Sequence, residues 1–312
     1  MNTQLSELAQ PGAISNPNTF AEYLTFIFKE NIENDDVTKI FAKIQIIEKS
    51  IAQKDPSANL SLTIGISNKG WPTVFPDVQA PSLLHDFIAM TDGERSFPST
   101  PGDIFIMIKS ERMDINFQAA KYIAAALQPV ANLIEDIQGF KYLDNRDMID
   151  FVDGTENPKN EARFNAVLVD NDRDIHQGGT YLTVQRYVDR QGLWDKQTTE
   201  YQEQVIGRTK LDDIELDDDQ KPAWAHNNKS KVIIDDQEIK MLRQNRPFGN
   251  AMEHGTMFVG FAASPEILDI SLKQMIYADE NGNYDRLLDF VEAKTGTHYF
   301  VPSQTLMNTF AG

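Results

Sequence analysis

Five histidines and a single Asp-Gly turn carry most of the chemistry open to this chain. His85, His176, His226, His254 and His298 do not pair at the HxxxH or HExxH spacing that would put two metal ligands on one helix face. With no cysteine anywhere, disulfides, thiolate metal sites, iron–sulfur clusters and cysteine nucleophiles are excluded. No GxSxG, P-loop or GxGxxG pattern occurs, which removes the simplest serine hydrolase, NTPase and dinucleotide readings. Haem remains, because the porphyrin supplies the in-plane nitrogens and one protein histidine completes the site. His226, in the polar stretch KPAWAHNNKS, and His298, in GTHYFVP beside a predicted strand, are both candidates. By pattern alone each is more often an ordinary polar histidine. FVDGTENPKN, residues 151 to 160, sets Asp153 and Gly154 behind two apolar residues. Asp-Gly favours a tight turn and Asn-Pro disfavours helix, so the turn alone does not make Asp153 catalytic.

The elements that must position these residues alternate in kind. AEYLTFIFK (21 to 29), the Leu62, Ile64, Ile66 alternation and DIFIMIKS (103 to 110) read as strands. VTKIFAKIQIIEKSIA (37 to 52) and MDINFQAAKYIAAALQ (113 to 128) read as helices, the second with Ile115, Ala119, Tyr122, Ile123 and Ala126 on one face. The second half repeats the rhythm: TYLTVQRYV (180 to 188) as a strand, a helix around TTEYQEQVIG, and TMFVGFA (256 to 262) as a strand. Ser264 and Pro265 then supply an N-cap and a first-turn proline to PEILDISLKQMI, and FVP (300 to 302) closes the set. Twice-repeated split β-α-β units predict an α+β fold of two ferredoxin-like domains, each an antiparallel sheet with helices packed on it. The boundary falls near FVDGTENP, giving 1–145 and 146–312, with the candidate site in the second domain.

Composition narrows the partners. The 312 residues are 41% hydrophobic, enough for a sizeable core, and 47 acidic against 29 basic residues give a formal charge of −18. Such a surface repels phosphate backbones and anionic lipid, so neither nucleic acid nor membrane is expected as a partner. The start, MNTQLSELAQPGAIS, lacks a basic region followed by an apolar stretch, and a cytoplasmic location is expected. The acidic run LDDIELDDDQ (211 to 220) lacks the glycine and terminal glutamate of an EF-hand and reads as a solvated loop.

FVDGTENP resembles the GxxDG-type motif of dye-decolourising peroxidases, with Asp150 where the first glycine of that pattern would stand and Asp153 and Gly154 intact. The resemblance continues through QGGTYLTVQRYV, VIGRTKLDDIELDDDQKPAWAH, MLRQNRPFGN and YDRLLDFVEAKTGTHYFVPS, in the family's order, over most of residues 140 to 305. It points to the bacterial cytoplasmic, B-type-like branch. The resemblance implies a haem b (iron protoporphyrin IX) enzyme with His226 as the axial iron ligand and Asp153, Arg243 and Asn245 on the distal face. It implies that Asp289 accepts the other ring N–H of His226, with Asp285, one turn earlier, as the rival. Arg208 is implied as a propionate partner, with Gly154, Thr155 and Glu156 along the haem edge.

The implied substrates are hydrogen peroxide and small aromatic reductants such as phenols, catechols and dyes. Peroxide must lose a proton from one oxygen and gain one on the other, so a base beside a cation is the minimal distal kit. Unperturbed aspartates titrate near pH ~4, and proton transfer through one predicts an acidic activity optimum. Trp71, Trp194 and Trp224 are candidate routes for electrons from large substrates, Trp224 standing two residues before His226. The family resemblance also implies a homo-oligomer, a dimer or larger. The short tail SQTLMNTFAG argues against packaging as cargo. A haem- or iron-handling protein with incidental peroxidase activity, and a cofactor-free interaction module, are the alternatives. A Soret band and the speed of reaction with peroxide separate the three.

Overall fold

In the computed structural model, which describes residues 2–311, eight strands of a ten-stranded antiparallel sheet close on themselves, the short strands Leu242–Arg243 and Val291–Ala293 pairing outside the ring. In the first half these are β1 (Phe20–Phe28), β2 (Ser61–Ile66), β3 (Ile104–Ser110) and β4 (Ala131–Phe140). The second half contributes β5 (Thr180–Asp189), β6 (Arg246–Gly249), β7 (His254–Ala262) and β8 (Thr297–Val301). The first half is ordered β4-β1-β3-β2 and the second β8-β5-β7-β6, the same permutation in each. Two narrow seams join them: Phe248 pairs with Gly139 across β6 and β4, and Phe300 with Ile66 across β8 and β2.

The α+β class therefore stands, but the expected pair of separate sheets gives way to a single barrel-like one. Each half-sheet carries apolar side chains on both faces, and the inner faces cover each other. Tyr23, Phe105 and Met107 from the first half pack with Val184, Met257 and Tyr299 from the second. Closure also pairs what would be free strand edges.

Helices cover the outside. α1 (Asn34–Ala52) and α2 (Met113–Leu127) lay Phe41, Ile44, Ala119 and Ile123 on Leu24, Ile64 and Ile106 of the first half. Tyr122 does not join that face; at 46% exposure it lies on the solvent side of α2. In the second half, α3 (Thr199–Ile206) is capped by Thr198, whose hydroxyl accepts the Tyr201 amide at 3.3 Å. The short α4 spans His226–Lys229. α5 (Pro265–Ile276) starts as its sequence predicts, with the Ser264 hydroxyl accepting the Glu266 amide at 3.3 Å. It packs over β5 and β7. Among the described residues no helix is long and apolar enough to cross a membrane.

Candidate active site

Between α5 and the outer face of β5 and β7 lies a cavity enclosing about 1580 Å³ of non-atom space, its open mouth included. Tyr187 of β5, Phe258 of β7 and Leu268, Leu272 and Met275 of α5 give it apolar walls. Of the residues singled out in the sequence, Asp153, Gly154, Thr155, Glu156, Arg208, His226, Arg243 and Asn245 all line this one cavity.

His226 opens α4, and local packing fixes its place. α3 ends at Gly207, whose φ of +90° is left-handed. Asn227 donates to the Gly207 carbonyl at 3.1 Å, and a Cβ on Gly207 would sit 2.0 Å from the Asn227 Oδ1. Only glycine both turns the chain and admits the neighbour of His226. The imidazole Nδ1 lies 2.6 Å from Oδ2 of Asp285, which is fully buried. A carboxylate can only accept, so Nδ1 carries the proton and Nε2 keeps its lone pair for the cavity. The other Asp285 oxygen accepts the Leu287 amide at 3.0 Å. This corrects the sequence assignment of Asp289, which instead accepts the Tyr284 hydroxyl at 2.8 Å. Residues 286–289 form a 3-10 turn capped by Asp285, and that turn carries Asp289 away from His226.

The FVDGTENP loop holds Asp153 by its backbone. The Asp153 amide donates to Asn145 O at 3.0 Å, and Asn145 Nδ2 donates to Asp153 O at 2.7 Å. Gly154 adopts φ +87°. Asn157, from the same loop, donates to the Arg243 carbonyl at 2.7 Å and accepts the Arg243 amide at 2.9 Å. The loop and the Arg243 backbone are thus tied together. The Arg243 guanidinium makes no hydrogen bond or ion pair with the described residues, an uncompensated cation facing the cavity. Asn245 Oδ1 accepts the Val259 amide at 3.0 Å, which leaves its amide nitrogen as the donor for the cavity.

Arg208 lines the cavity already engaged. It donates to Asp213 Oδ1 at 2.6 Å and to Glu156 at 3.3 Å, and Asp213 also accepts the Thr155 hydroxyl at 2.5 Å. The acidic run is thus a loop, as expected, but Asp213 within it is a structural tie and not only a solvated charge.

Several polar groups in the wall went unread in the sequence. Gln185 Nε2 and Asp189 Oδ2 are buried without a partner among the described residues. Burial pushes the Asp189 carboxyl up to about 7. Burial holds Asp147 well above the usual carboxylate range too; the Phe151 amide opposes this, and the charges of Asp153 and Asp189 add to it. Nothing in LDNRDMIDF or YVD distinguishes these aspartates from surface ones; only their shared cavity does. His298 lies outside the cavity, on β8, with Thr183 and Asp269. Trp224 packs against Tyr201 with ring centroids 5.9 Å apart, whereas Trp71 is buried in the first half.

These features fit a haem: an apolar slot, a histidine with one free ring nitrogen and a buried carboxylate behind it, and an unpaired cation. Comparison with known proteins agrees. The profile described as "Dyp-type peroxidase, C-terminal" matches residues 144–306, and its N-terminal counterpart matches residues 10–141. A dye-decolorizing peroxidase of Rhodococcus erythropolis is 37% identical over 96% of this chain and 89% of its own length. A variant of DypB from Rhodococcus jostii RHA1, solved in complex with heme, superposes with a TM-score of 0.89 at 34% identity, covering 96% of each chain. The encapsulated DyP-type peroxidase from Mycobacterium smegmatis superposes at 0.92, also at 34% identity, over 97% of each chain.

Proposed function

Because this chain belongs to the Dyp-type peroxidase family and is a haem-dependent enzyme, we propose that it reduces hydrogen peroxide and oxidises phenolic and catecholic compounds and dyes by one-electron steps. Haem, when bound, would supply redox-active iron for one-electron chemistry. The residues do the rest. His226 Nε2 would hold the iron, and Asp285 keeps the ring in the required tautomer and raises its basicity. Asp153 takes the proton from one peroxide oxygen and returns it to the other. Arg243 offers positive charge to the oxygen that departs, and the Asn245 amide nitrogen donates a hydrogen bond beside it. Gly154, Thr155, Glu156 and Arg208, which line the cavity, would border the haem, and Arg208, held by Asp213, would offer a remaining guanidinium donor to a propionate.

The observation that carries this reading is the His226–Asp285 pair at 2.6 Å in the same cavity as the unpaired Arg243. The test is to replace Asp153 by Ala and Arg243 by Leu separately and time the reaction of the haem protein with peroxide. Loss of the arginine should slow it by roughly 10²–10³-fold, as for other preorganised charge-stabilising donors. A wild-type rate in Arg243→Leu would remove Arg243 from the mechanism.

The shared strand permutation supports reading each half as a ferredoxin-like unit, with the boundary near residue 145. A cytoplasmic location and assembly into homo-oligomers complete the proposal; sedimentation of the haem-loaded protein reports the second.

A further inference from the structure

His85, Asp269 and His298 come together away from the haem cavity, from three separate parts of the chain. His85 lies in the irregular segment 81–89, Asp269 on α5 and His298 on β8. His85 Nε2 is 3.2 Å from Asp269 Oδ2, and His298 Nε2 is 3.1 Å from Asp269 Oδ1. One ligand atom from each residue lies within 4.8 Å of the others. Four ligands placed at ~2.0–2.1 Å around a tetrahedral zinc ion stand roughly 3.3 Å apart; each imidazole already sits at about that spacing from the carboxylate oxygen it faces, and gathering one oxygen and both nitrogens around an ion draws the set in from within 4.8 Å.

The far nitrogens strengthen the case. His85 Nδ1 is 2.9 Å from the Asp86 carbonyl, and His298 Nδ1 is 2.8 Å from the Thr183 hydroxyl. A carbonyl only accepts, so His85 Nδ1 carries the ring proton. With Nδ1 engaged there, Nε2 is the His85 nitrogen presented to Asp269. Anchoring the other ring nitrogen on an oxygen is also how metal-ligating histidines are held.

We propose that these three residues bind one divalent transition-metal ion of the zinc class. The two imidazoles and the carboxylate supply three ligands, and water takes the fourth position on the side where His85 is 38% exposed. The ion clasps segment 81–89 to α5 and β8. The borderline-soft donor set favours zinc, nickel or copper over calcium or magnesium.

The test uses the haem-loaded protein at pH 7.5, dialysed against zinc, with bound metal counted by mass spectrometry. His85→Ala removes a half-exposed ligand, and Asp269→Asn weakens the carboxylate while keeping its shape. Wild type should hold one zinc equivalent more than either variant, and zinc should raise its melting temperature but not theirs. Zinc-edge X-ray absorption of the wild type should show two imidazole scatterers. Equal zinc content in wild type and both variants, or an absorption spectrum with oxygen ligands only, overturns the proposal.

Discussion

Replacing Asp285 by asparagine removes the charge that His226 Nδ1–H meets at 2.6 Å, and the Asp289→Asn variant separates this effect from a general one. The first change should lower activity or haem affinity roughly 10–100-fold, as loss of such partners typically does, and raise the reduction potential of the bound iron. The second should leave both near wild type. Spectroelectrochemical titration of the two variants checks it. Asp189 makes a prediction of opposite kind. Burial lifts its carboxyl from 3.8 to about 7, so the folded chain holds this proton more tightly than the unfolded chain does. Its stabilising contribution is full below pH ~4 and is lost progressively as pH rises towards ~7. Between pH 4.5 and 8 the haem-free wild type should lose roughly 1–2 kcal/mol relative to Asp189→Asn, after discounting for partial exposure. Urea unfolding at the two pH values measures the difference, and an equal pH dependence in both proteins would show that Asp189 stays ionised.

Among the elements, the FVDGTENP loop does more than present one carboxylate. Asn157 fastens it to the Arg243 backbone by two hydrogen bonds, so Asn157→Ala should displace both distal groups and lower kcat/KM for peroxide roughly 10–100-fold while haem content holds. A variant with unchanged kcat/KM would mean that Arg243 is positioned without the loop. Asp150, where the resemblance expects glycine, sits at φ +72°; a glycine there avoids the cost of that left-handed conformation. Asp150→Gly should therefore stabilise the protein by roughly 0.5–1 kcal/mol in thermal unfolding, less whatever the Lys210 ion pair at 3.5 Å contributes. Such details mark the limit of what sequence conveys. The strands with strict alternation and the Ser264–Pro265 helix start were legible because they depend on neighbours along the chain. β4, ANLIEDIQGF, was not placed, because most of its side chains are partly exposed and no clean apolar period survives. The choice between Asp285 and Asp289, the gathering of Asp147, Gln185 and Asp189 at one cavity, and the Asn157 tie to Arg243 depend on tertiary contacts that no local pattern records.

At the scale of the whole molecule, the two halves share one interior. Tyr23 and Phe105 pack with Val259 and Tyr299 across the barrel, although each seam has a single residue pair. Unfolding should therefore be one transition, with the first-half Trp71 environment and the second-half haem lost together; two separated transitions would mean that the halves fold alone. This barrel gives the haem cavity its rigid back wall, β5 and β7, and leaves the histidine and the distal loop on connections outside it. The −18 formal charge disfavours the approach of anionic polymers. The central claim is tested by adding haem to the purified wild type and to His226→Ala, then mixing each with one equivalent of peroxide in a stopped-flow spectrophotometer. Wild type should bind haem with a Soret band and react at about 10⁴ M⁻¹s⁻¹ or faster, the lower end of usual enzyme efficiency, and His226→Ala should lose the band or the rate. A wild-type protein that binds haem but reacts far more slowly would make it a haem handler, and an unchanged spectrum and rate in His226→Ala would contradict the assigned iron ligand.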